Sequence, residues 1–408
     1  MEPLHYELPE ERIALFPVEP RDSSRLLVAG PDGPRLDARV ADLPGLLEGI
    51  RHVVVNASRV VKARLLFPRE SDQKPFELFF LEPDEGEVAS AMNQVGFARI
   101  RVLVGGSKKW KMGVELVHPD GIRSLRVAQD GAVSTVELRW DAPLTLGELL
   151  DRAGRVPLPP YFRRADESSD AERYQTVYAQ NAGSVAAPTA GLHFTPELVQ
   201  ALESSGRSFL KVELHVGAGT FKPIDATDAR EHAMHAEEVH LPRAVVEALS
   251  DGAPTLAVGT TSSRSLESAY WLAAASLKNN TPLGNHLEQW SWEDLAAWWD
   301  LQPGDDFEKR RRIWLHALDQ WPPNQSEWTF TTALMMVPGY RVRTWEALLT
   351  NFHQPGSTLL MLIASVVGDA WKELYAHALR NDYRFLSYGD ASLLWRYGRE
   401  LERVAGAP

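Results

Sequence analysis

The sequence predicts an α/β protein, in which a mixed sheet covered by helices carries an inserted small β-barrel domain. The first observation is an alternation of strand and helix patterns, clearest where the apolar run 255–258 leads into a helix. Such alternation is typical of an at least partly parallel sheet. The second observation is a run of short segments between residues 61 and 144, rich in β-branched and aromatic residues and separated by turn residues. Short strands of this kind favour an antiparallel barrel or sandwich.

The predicted domain boundaries follow from this change in pattern. Residues 1–60 and 145–408 are expected to form one discontinuous α/β domain, and residues 61–144 the inserted β-barrel domain. An insertion is tolerated where its two ends lie close together in space. A chain of 408 residues is also long enough for two or three domains.

Local signals define several elements of the α/β part. Residues 26–29 and 52–55 are short apolar runs, as expected for buried strands. Thr195, followed by proline, predicts a helix start, because a hydroxyl caps free backbone N–H groups and proline fits the first helical position. This helix should end near Gly206 and lead into a strand at 209–216.

Residues 277–330 form a tryptophan-rich insert. They hold seven of the 13 tryptophans, and their spacing predicts amphipathic helices at 290–300 and 307–321. We favour a helical hairpin whose tryptophans pack on the α/β body. The alternative is a tryptophan surface that stacks RNA bases.

The composition limits the chemistry and the partners. With 43 basic and 55 acidic residues the net charge is −12, so any nucleic acid must be bound through a local basic patch. The absence of cysteine excludes thiolate metal sites, iron–sulfur clusters and cysteine nucleophiles. We find no signal-peptide pattern and no apolar run long enough to span a bilayer. These features lead us to expect a cytoplasmic enzyme that does not bind membranes.

Two candidate segments each place a histidine among small residues. Segment 183–195 precedes a helix start and contains His193, which can act as a base or an acid near neutral pH. The alternative is a tight loop with a surface histidine. In segment 214–221, His215 lies at a strand end, where α/β sheets usually bind ligands. The alternative is a hydrogen-bonded core histidine.

Two further segments suggest ion binding. His232 and His235 are spaced to share a helix face as metal ligands, although surface helices rich in glutamate and histidine are common. Residues 259–264 place a glycine, four hydroxyl residues and Arg264 between a strand and a helix, a plausible anion pocket. Arg264 could instead pair with Glu267 one turn further on.

The C-terminal part holds two more polar segments. Asn351 and His353 precede an apolar helix that Ser357 could cap, and residues 384–390 end on Asp390. A helix cap explains Ser357 but neither of the other two side chains in the first segment. Both segments are therefore candidates for a site.

Taken in order, these segments resemble the signature series of the S-adenosylmethionine:tRNA ribosyltransferase-isomerase family of the queuosine pathway. The resemblance covers most of the chain apart from the tryptophan-rich insert and parts of the β module. The matching segments are 8–11, 20–28, 173–179, 183–195, 214–221, 232–237, 257–268, 349–362 and 383–391.

The resemblance implies an α/β domain carrying a β-barrel domain, and it implies a reaction. The ribosyl group of S-adenosylmethionine, a co-substrate, would be transferred to 7-aminomethyl-7-deazaguanine at the wobble position of tRNA. Its isomerisation would give epoxyqueuosine, with release of adenine and methionine. The resemblance implies no metal, which favours a substrate-pocket or structural role for His232 and His235, and we infer no obligate protein partner.

This chemistry needs a base for the proton on the 5′ carbon beside the sulfonium, in a pocket that excludes water. We expect His193 or His215 to be that base, with His353 as a third candidate. Asp390 or a histidine is expected to protonate the leaving adenine, and the methionine carboxylate to lie on residues 259–263. The predicted substrate-binding residues are Arg25, Arg59, Thr189, Gly191, Gly217, Gly219, Thr220, His232, His235, Thr260, Thr261, Ser262, Arg264, Asn351 and Tyr388.

Two departures from the family pattern leave alternatives open. The family usually has asparagine, aspartate, threonine and arginine where this chain has Asn56, Ala57, Ser58 and Arg59. The lost aspartate motivates two alternatives: a paralogue that uses S-adenosylmethionine on another acceptor, and a non-catalytic RNA-binding homologue. In the β module, a basic turn could bind tRNA phosphates and stack a base, or could be only a solvated hairpin turn. Its residues are Lys108, Lys109, Trp110 and Lys111.

Overall fold

The computed structural model describes residues 1–69, 74–86, 88–217, 224 and 227–396. Its strands, numbered along the chain, are β1 (Arg25–Gly30), β2 (Gly33–Arg39), β3 (His52–Asn56), β4 (Arg59–Val60), β5 (Arg64–Phe67), β6 (Phe76–Pro83), β7 (Phe97–Gly105), β8 (Glu115–Val117), β9 (Arg123–Asp130), β10 (Val133–Arg139), β11 (Ala182–Ser184), β12 (Ser208–His215), β13 (Glu237–Pro242), β14 (Thr255–Val258), β15 (His286–Leu287), β16 (Glu327–Thr332), β17 (Ala347–Asn351) and β18 (Ala391–Trp395).

The α-helices lie between residues 43 and 380, and two of them belong to the tryptophan-rich insert. They are α1 (Leu43–Leu46), α2 (Val88–Met92), α3 (Leu146–Ala153), α4 (Asp170–Arg173), α5 (Pro196–Ser204), α6 (Arg243–Leu249), α7 (Gly259–Asn279), α8 (Trp292–Asp300), α9 (Asp306–Asp319), α10 (Thr358–Val367) and α11 (Ala370–Arg380). Among the described residues, none of these helices has the length and apolar character needed to cross a membrane.

A ten-stranded mixed sheet forms the body of the protein, in the order β15-β16-β13-β12-β3-β14-β17-β18-β1-β2. At its centre β12, β3, β14 and β17 run parallel to one another. The neighbouring β13 and β18 pair antiparallel to β12 and β17. The predicted mixed sheet is therefore confirmed, and the parallel centre brings the ends of several strands to one edge.

A separate six-stranded antiparallel sheet is formed between residues 64 and 139, in the order β5-β6-β7-β10-β9-β8. It curls around its own apolar core, in which Phe67, Phe80 and Ile100 are buried. In the described residues β5 and β8 stay at opposite edges without pairing. The predicted β-barrel module is thus present as a curled half-barrel rather than a closed barrel.

The local helix signals are confirmed. Thr195 caps α5, with its Oγ1 accepting a hydrogen bond from Leu198 N at 3.1 Å. Ser357 caps α10 in the same way, accepting from Leu360 N at 3.2 Å. Both caps place the loop before the helix in a fixed conformation, and both of these loops contribute to the cleft described below.

The tryptophan-rich insert forms helices α8 and α9, which pack on the long helix α7. Trp299 and Trp314 are fully buried, and the indole of Trp299 donates a hydrogen bond to the Tyr270 hydroxyl in α7. The predicted packing on the body is confirmed for these side chains. Trp290 and Trp298 stay partly exposed, and each has a cation over its ring, Arg230 and Lys278 respectively.

Candidate active site

A cleft opens at the carboxyl ends of the parallel strands β14 and β17, the usual ligand position in open α/β sheets. Its central cavity has a volume of about 820 Å³ and is lined by residues from the stretches 186–190, 259–261, 350–354 and 386–387. A concave site lined by both apolar and polar groups in this position is typical of small-molecule binding in α/β proteins. All four stretches belong to segments selected from the sequence, which therefore converge here.

A second cavity of about 720 Å³ adjoins the first. The two cavities share Val216, Thr260 and Thr261, so they form one cleft with two chambers. The adjoining chamber is lined on one side by apolar side chains, including Met335 and Met336. An extended ligand with one polar and one apolar portion would fit this shape.

His353 lies in the wall of the central cavity and is only 8% exposed. Its Nε2 lies 2.8 Å from the Thr350 hydroxyl. Its peptide is held on both sides, because its N–H donates to the Tyr375 hydroxyl at 3.1 Å and its carbonyl accepts from the Tyr6 hydroxyl at 2.5 Å. Burial lowers the pKa of His353 to about 3, so the ring is neutral at physiological pH.

His193 lies behind the cavity wall and contacts it through Asn351. The Asn351 Nδ2 group is 3.2 Å from His193 Nε2 and donates also to the Leu386 carbonyl. Because an amide nitrogen only donates, His193 Nε2 must accept, which makes this ring neutral as well. Burial, together with the positive charges of Arg384 and Arg21, lowers the pKa of His193 to about 4.

The predicted anion pocket at 259–264 is not a separate turn, because helix α7 begins directly at Gly259. Thr260 and Thr261 line both cavities, as predicted for substrate-binding residues. The Thr261 hydroxyl is buried and finds no hydrogen-bond partner within the described part of the chain. Ser262 does not face the cleft: it is fully buried and donates to the Val258 carbonyl at 2.8 Å, so its assignment was wrong.

His232 and His235 line the adjoining cavity, but they do not share a helix face. The segment between them is extended and leads into β13, so the helical metal-site hypothesis is wrong. Arg264 lines the same cavity and forms a buried ion pair with Glu237. The expected partner Glu267 instead accepts hydrogen bonds from Tyr340, Arg343 and Thr344.

Two predicted catalytic residues lie outside the cleft. His215 points to the opposite face of the sheet from the cavity-lining Val216, because successive side chains of a strand alternate. Asp390 accepts hydrogen bonds from the backbone N–H groups of Arg25 and Arg384 at 3.1 and 2.8 Å. Its oxygens therefore hold the loop before β18, and we withdraw the acid role.

Several predicted substrate-binding residues have structural partners away from the cleft. Arg25 donates to the Asn381 carbonyl, and Arg59 lies 3.0 Å from Asp151. Tyr388 donates to Asp170 at 2.9 Å. None of these three residues lines either cavity, and their assignment to substrate stays a prediction.

Thr189 and the glycines that were predicted to bind substrate also differ in whether they line the cleft. Thr189 lines the central cavity. Gly191 is packed against Tyr178, whose hydroxyl would lie 2.1 Å from an added Cβ atom, so the role of this glycine is close packing. Gly217 directly follows the cavity-lining Val216, while Gly219 and Thr220 lie outside the described residues.

In the basic turn of the half-barrel the lysines are exposed, but the tryptophan is buried. Lys108, Lys109 and Lys111 are exposed, but Trp110 is 2% exposed and its indole donates to the Val114 carbonyl at 2.8 Å. A buried ring cannot stack on a base, so that part of the prediction was wrong. Phosphate binding by the lysines stays a prediction.

Ala57 and Ser58, the two positions at which this chain departs from the family pattern, do not line the cleft. Ala57 is fully buried, and Asn56 is also buried, accepting hydrogen bonds from Ser58 N and Leu214 N. None of these side chains lines either cavity. The change from aspartate to alanine therefore removes no group from the cavity walls.

The sequence analysis missed several groups that hold the site. Thr350 carries the hydroxyl beside the His353 ring, and Tyr6 and Tyr375 clamp its peptide. Tyr161 lines the central cavity and bonds to Ser387. Thr350 could have been found as a hydroxyl next to Asn351, whereas the tyrosines come from distant segments that no local signal connects to the site.

Comparison with known proteins gives a consistent result. A family model described as "Queuosine biosynthesis protein" matches residues 1–394. A protein of Xanthomonas oryzae pv. oryzae named S-adenosylmethionine:tRNA ribosyltransferase-isomerase is 38% identical over 398 residues, which cover 96% of this chain and 95% of that protein. A protein of the same name from Rhizorhabdus wittichii is 36% identical over 402 residues, covering 95% and 97%. A solved structure of an S-adenosylmethionine tRNA ribosyltransferase from Thermotoga maritima aligns with 26% identity and a TM-score of 0.44, covering 96% of this chain and 99% of that one.

Proposed function

The chain belongs to the queuosine biosynthesis protein family, and from this membership we propose that it is an S-adenosylmethionine:tRNA ribosyltransferase-isomerase. In this proposal S-adenosylmethionine is the co-substrate, and its ribosyl group is transferred to 7-aminomethyl-7-deazaguanine at the tRNA wobble position. The product is epoxyqueuosine, and adenine and methionine are released. The enzyme would act in the cytoplasm, where tRNA is modified.

Family membership carries the proposal, and a pair of buried polar atoms without partners supports the cleft as the place where the substrate binds. The Thr261 hydroxyl and the Asn351 side-chain oxygen make no hydrogen bond within the described residues, and both residues line the central cavity. A buried polar atom without a partner costs roughly 1–3 kcal/mol, so such an atom in a cavity wall is a candidate for a ligand contact. A polar substrate that reaches both atoms would remove this cost.

The start of α7 supports a position for the methionine part of the co-substrate. Gly259 and Thr260 line the central cavity at the first turn of this helix, whose N–H groups are free of intrahelical partners. A carboxylate is stabilised by such N–H groups and by the helix dipole. We therefore propose that the methionine carboxylate lies there, within reach of the Thr261 hydroxyl.

We assign His353 as the base. The reaction needs removal of a proton from the carbon beside the sulfonium, and a base must carry a free lone pair. His353 faces the cavity and is fixed through its peptide and its ring. His193 does not line the cavity and is proposed to orient Asn351. The two groups thus divide the roles of base and positioning residue.

Binding of tRNA is assigned to the exposed lysines of the half-barrel turn. Lys108 and Lys111 are exposed at a tight turn on the surface of the protein. Lysine side chains bind phosphates without reading sequence, which suits the backbone of a folded RNA. A protein with a net charge of −12 needs such a local basic site.

The proposal is tested by a turnover assay. The purified protein is incubated with S-adenosylmethionine and tRNA carrying 7-aminomethyl-7-deazaguanine, and the digested nucleosides are analysed by mass spectrometry while adenine release is followed. A mass gain corresponding to epoxyqueuosine, together with adenine, is expected. Adenine release without modified tRNA would replace the proposal with a paralogue acting on another acceptor. The absence of both products would refute transferase activity.

Variants connect the activity to the cleft. His353→Gln should lower kcat by about 10²–10⁴-fold, the usual contribution of a general base. Thr261→Val removes one hydroxyl without changing shape and should raise KM about 3–10-fold. Ser262→Ala is the matched control, because the neighbouring hydroxyl is bonded inside the helix. If Ser262→Ala and Thr261→Val behave alike, the assignment of the cleft to the substrate is wrong.

A further inference from the structure

A cluster of histidines and carboxylates lies on the face of the large sheet opposite to the cleft. Two cross-strand pairs form it: Glu213 of β12 faces His240 of β13, and His215 faces Glu238. Residues two apart on a strand share a face, so the four side chains form a block of two histidines and two glutamates. This block plays no part in the proposed reaction.

The ligand atoms of the block are close together. One atom from each of His215, Glu238 and His240 lies within 4.8 Å of the others. His240 Nε2 is 2.9 Å from Glu238 Oε1, and the two imidazole rings are 5.1 Å apart between centroids. On the other side of His240, Glu327 Oε1 lies 3.1 Å from Nδ1. Two imidazoles therefore share a small volume with several carboxylate oxygens.

The orientation of His215 is fixed from behind. Its Nδ1 edge is packed against Gly183, where an added Cβ atom would lie 1.8 Å from Nδ1. Its Nε2 consequently faces the carboxylates, at 3.9 Å from Glu213 Oε2. Glu213 is itself held by Asn181, which donates to its other oxygen at 2.7 Å. Supports of this kind orient first-shell ligands in metal sites.

We propose that His215, Glu238 and His240 bind a divalent transition-metal ion of the zinc type, with Glu213 as a fourth ligand. Two imidazole nitrogens and one or two carboxylate oxygens are a ligand set that zinc and related ions accept. Ligand atoms around zinc lie about 3.3 Å apart, so the side chains need to close by roughly 1 Å. Rotation of the glutamate side chains can supply this movement on a rigid backbone.

The expected role of the ion is structural. The cluster joins the end of β12 to the start of β13, and both lead directly into the cleft wall: Val216 follows His215, and His232 and His235 precede β13. A bound ion would fix the relative position of these two segments. It would not contact the substrate, because it lies on the other side of the sheet.

The test is metal binding by the full-length, tag-free chain after removal of metal with a chelator. Zinc chloride is titrated by calorimetry, and cobalt chloride gives an optical spectrum that reports the coordination geometry. We expect one zinc per chain with a Kd of about 1 μM or lower. His240→Gln should weaken binding by at least about 10–100-fold.

The controls separate a metal site from a simple ion pair. His377 of α11 forms a histidine–carboxylate pair with Asp37 of the edge strand β2, far from β12 and β13, so His377→Gln should bind zinc like the original chain. Circular dichroism of each metal-free variant verifies folding. No saturable binding at 100 μM metal (about 100 times the expected Kd), or equal binding by His240→Gln, would overturn the proposal. Neither result depends on S-adenosylmethionine or tRNA, so it leaves the proposed reaction untouched.

Discussion

Acid should destabilise the folded protein through its two buried cleft histidines. Burial lowers the pKa of His193 to about 4 and of His353 to about 3, whereas an exposed histidine titrates near 6.5. Between pH 7 and pH 5 the unfolded chain therefore binds more protons at these two residues than the folded chain does. The free energy of unfolding is not reduced by this effect above pH 6.5. It decreases as the pH falls from 6.5 towards the folded pKa values. Moving from pH 7 to pH 5 costs about 2 kcal/mol for each histidine, since a tenfold difference in proton affinity corresponds to about 1.4 kcal/mol.

The loss expected from both residues, about 4 kcal/mol, is comparable to the whole stability of a marginal protein. Urea unfolding at pH 7 and pH 5 measures it. His353→Gln cannot titrate and should lose about 2 kcal/mol less than the original chain over this interval. The control is His235→Gln, because His235 is exposed. Its loss should equal that of the original chain.

The comparison is made within each variant, so a lower starting stability of His353→Gln does not affect it. Acid also protonates carboxylates, but it does so equally in the three proteins. If His353→Gln loses as much stability as the original chain between pH 7 and pH 5, His353 takes up a proton in the folded state. The inference that burial keeps this ring neutral at pH 5 would then be wrong.

Three further predictions concern packing and RNA binding. Gly191→Ala should lower the free energy of unfolding by about 1–3 kcal/mol, because the new Cβ atom would overlap the Tyr178 hydroxyl. Thermal unfolding measures this loss. Gly45→Ala is the control, because its new Cβ atom would meet no other atom within 4 Å. Trp110→Ala should cost about 3–5 kcal/mol in urea unfolding, as expected for a buried ring; an unchanged midpoint would contradict its burial. Lys108→Ala should weaken tRNA binding and reduce the slope of log affinity against log salt by about 1; an unchanged slope would exclude this lysine from the interface.

The parts of the fold that local chemistry determines were predictable from the sequence. The cap at Thr195 and the strand before Gly259 are local signals, and both elements form where expected. Closure of the β module is different, because it depends on whether β5 and β8 meet, and these strands are about fifty residues apart. No local pattern reports that distance, so the sequence predicted a small barrel or sandwich without specifying its closure.

The segment with His232 and His235 shows the same limit. Its spacing fits a helix, yet Glu237 starts β13, pairs across the sheet with Thr332 and forms an ion pair with Arg264. These partners are far away in sequence, and they favour an extended chain over the local helical preference. Long-range strand pairing thus determined the conformation of a segment whose local helical signal was weak.

The site could be predicted at the level of segments but not of side chains. The segments around His193, Thr260 and His353, each selected from the sequence for its turn and polar residues, converge on one cleft. Which side chain enters the cleft depends on strand alternation: Val216 faces the cavity, and His215, one residue earlier, faces the other side. A shift of one residue reverses the assignment, and the sequence contains no signal that fixes it.

The family departure at Ala57 illustrates why position in the fold decides what a substitution means. Ala57 lies directly after β3, its N–H donates to the Val212 carbonyl at 2.8 Å, and its carbonyl accepts from Gln180 N at 2.8 Å. Its side chain is enclosed in the core beside β3, so an aspartate there would be a buried charge that needs its own partner. Alanine avoids this cost, and the backbone contacts that hold the strand end do not involve the side chain. Since the cleft walls are built from other segments, the departure alters how the core is packed and gives no reason to assign a different acceptor.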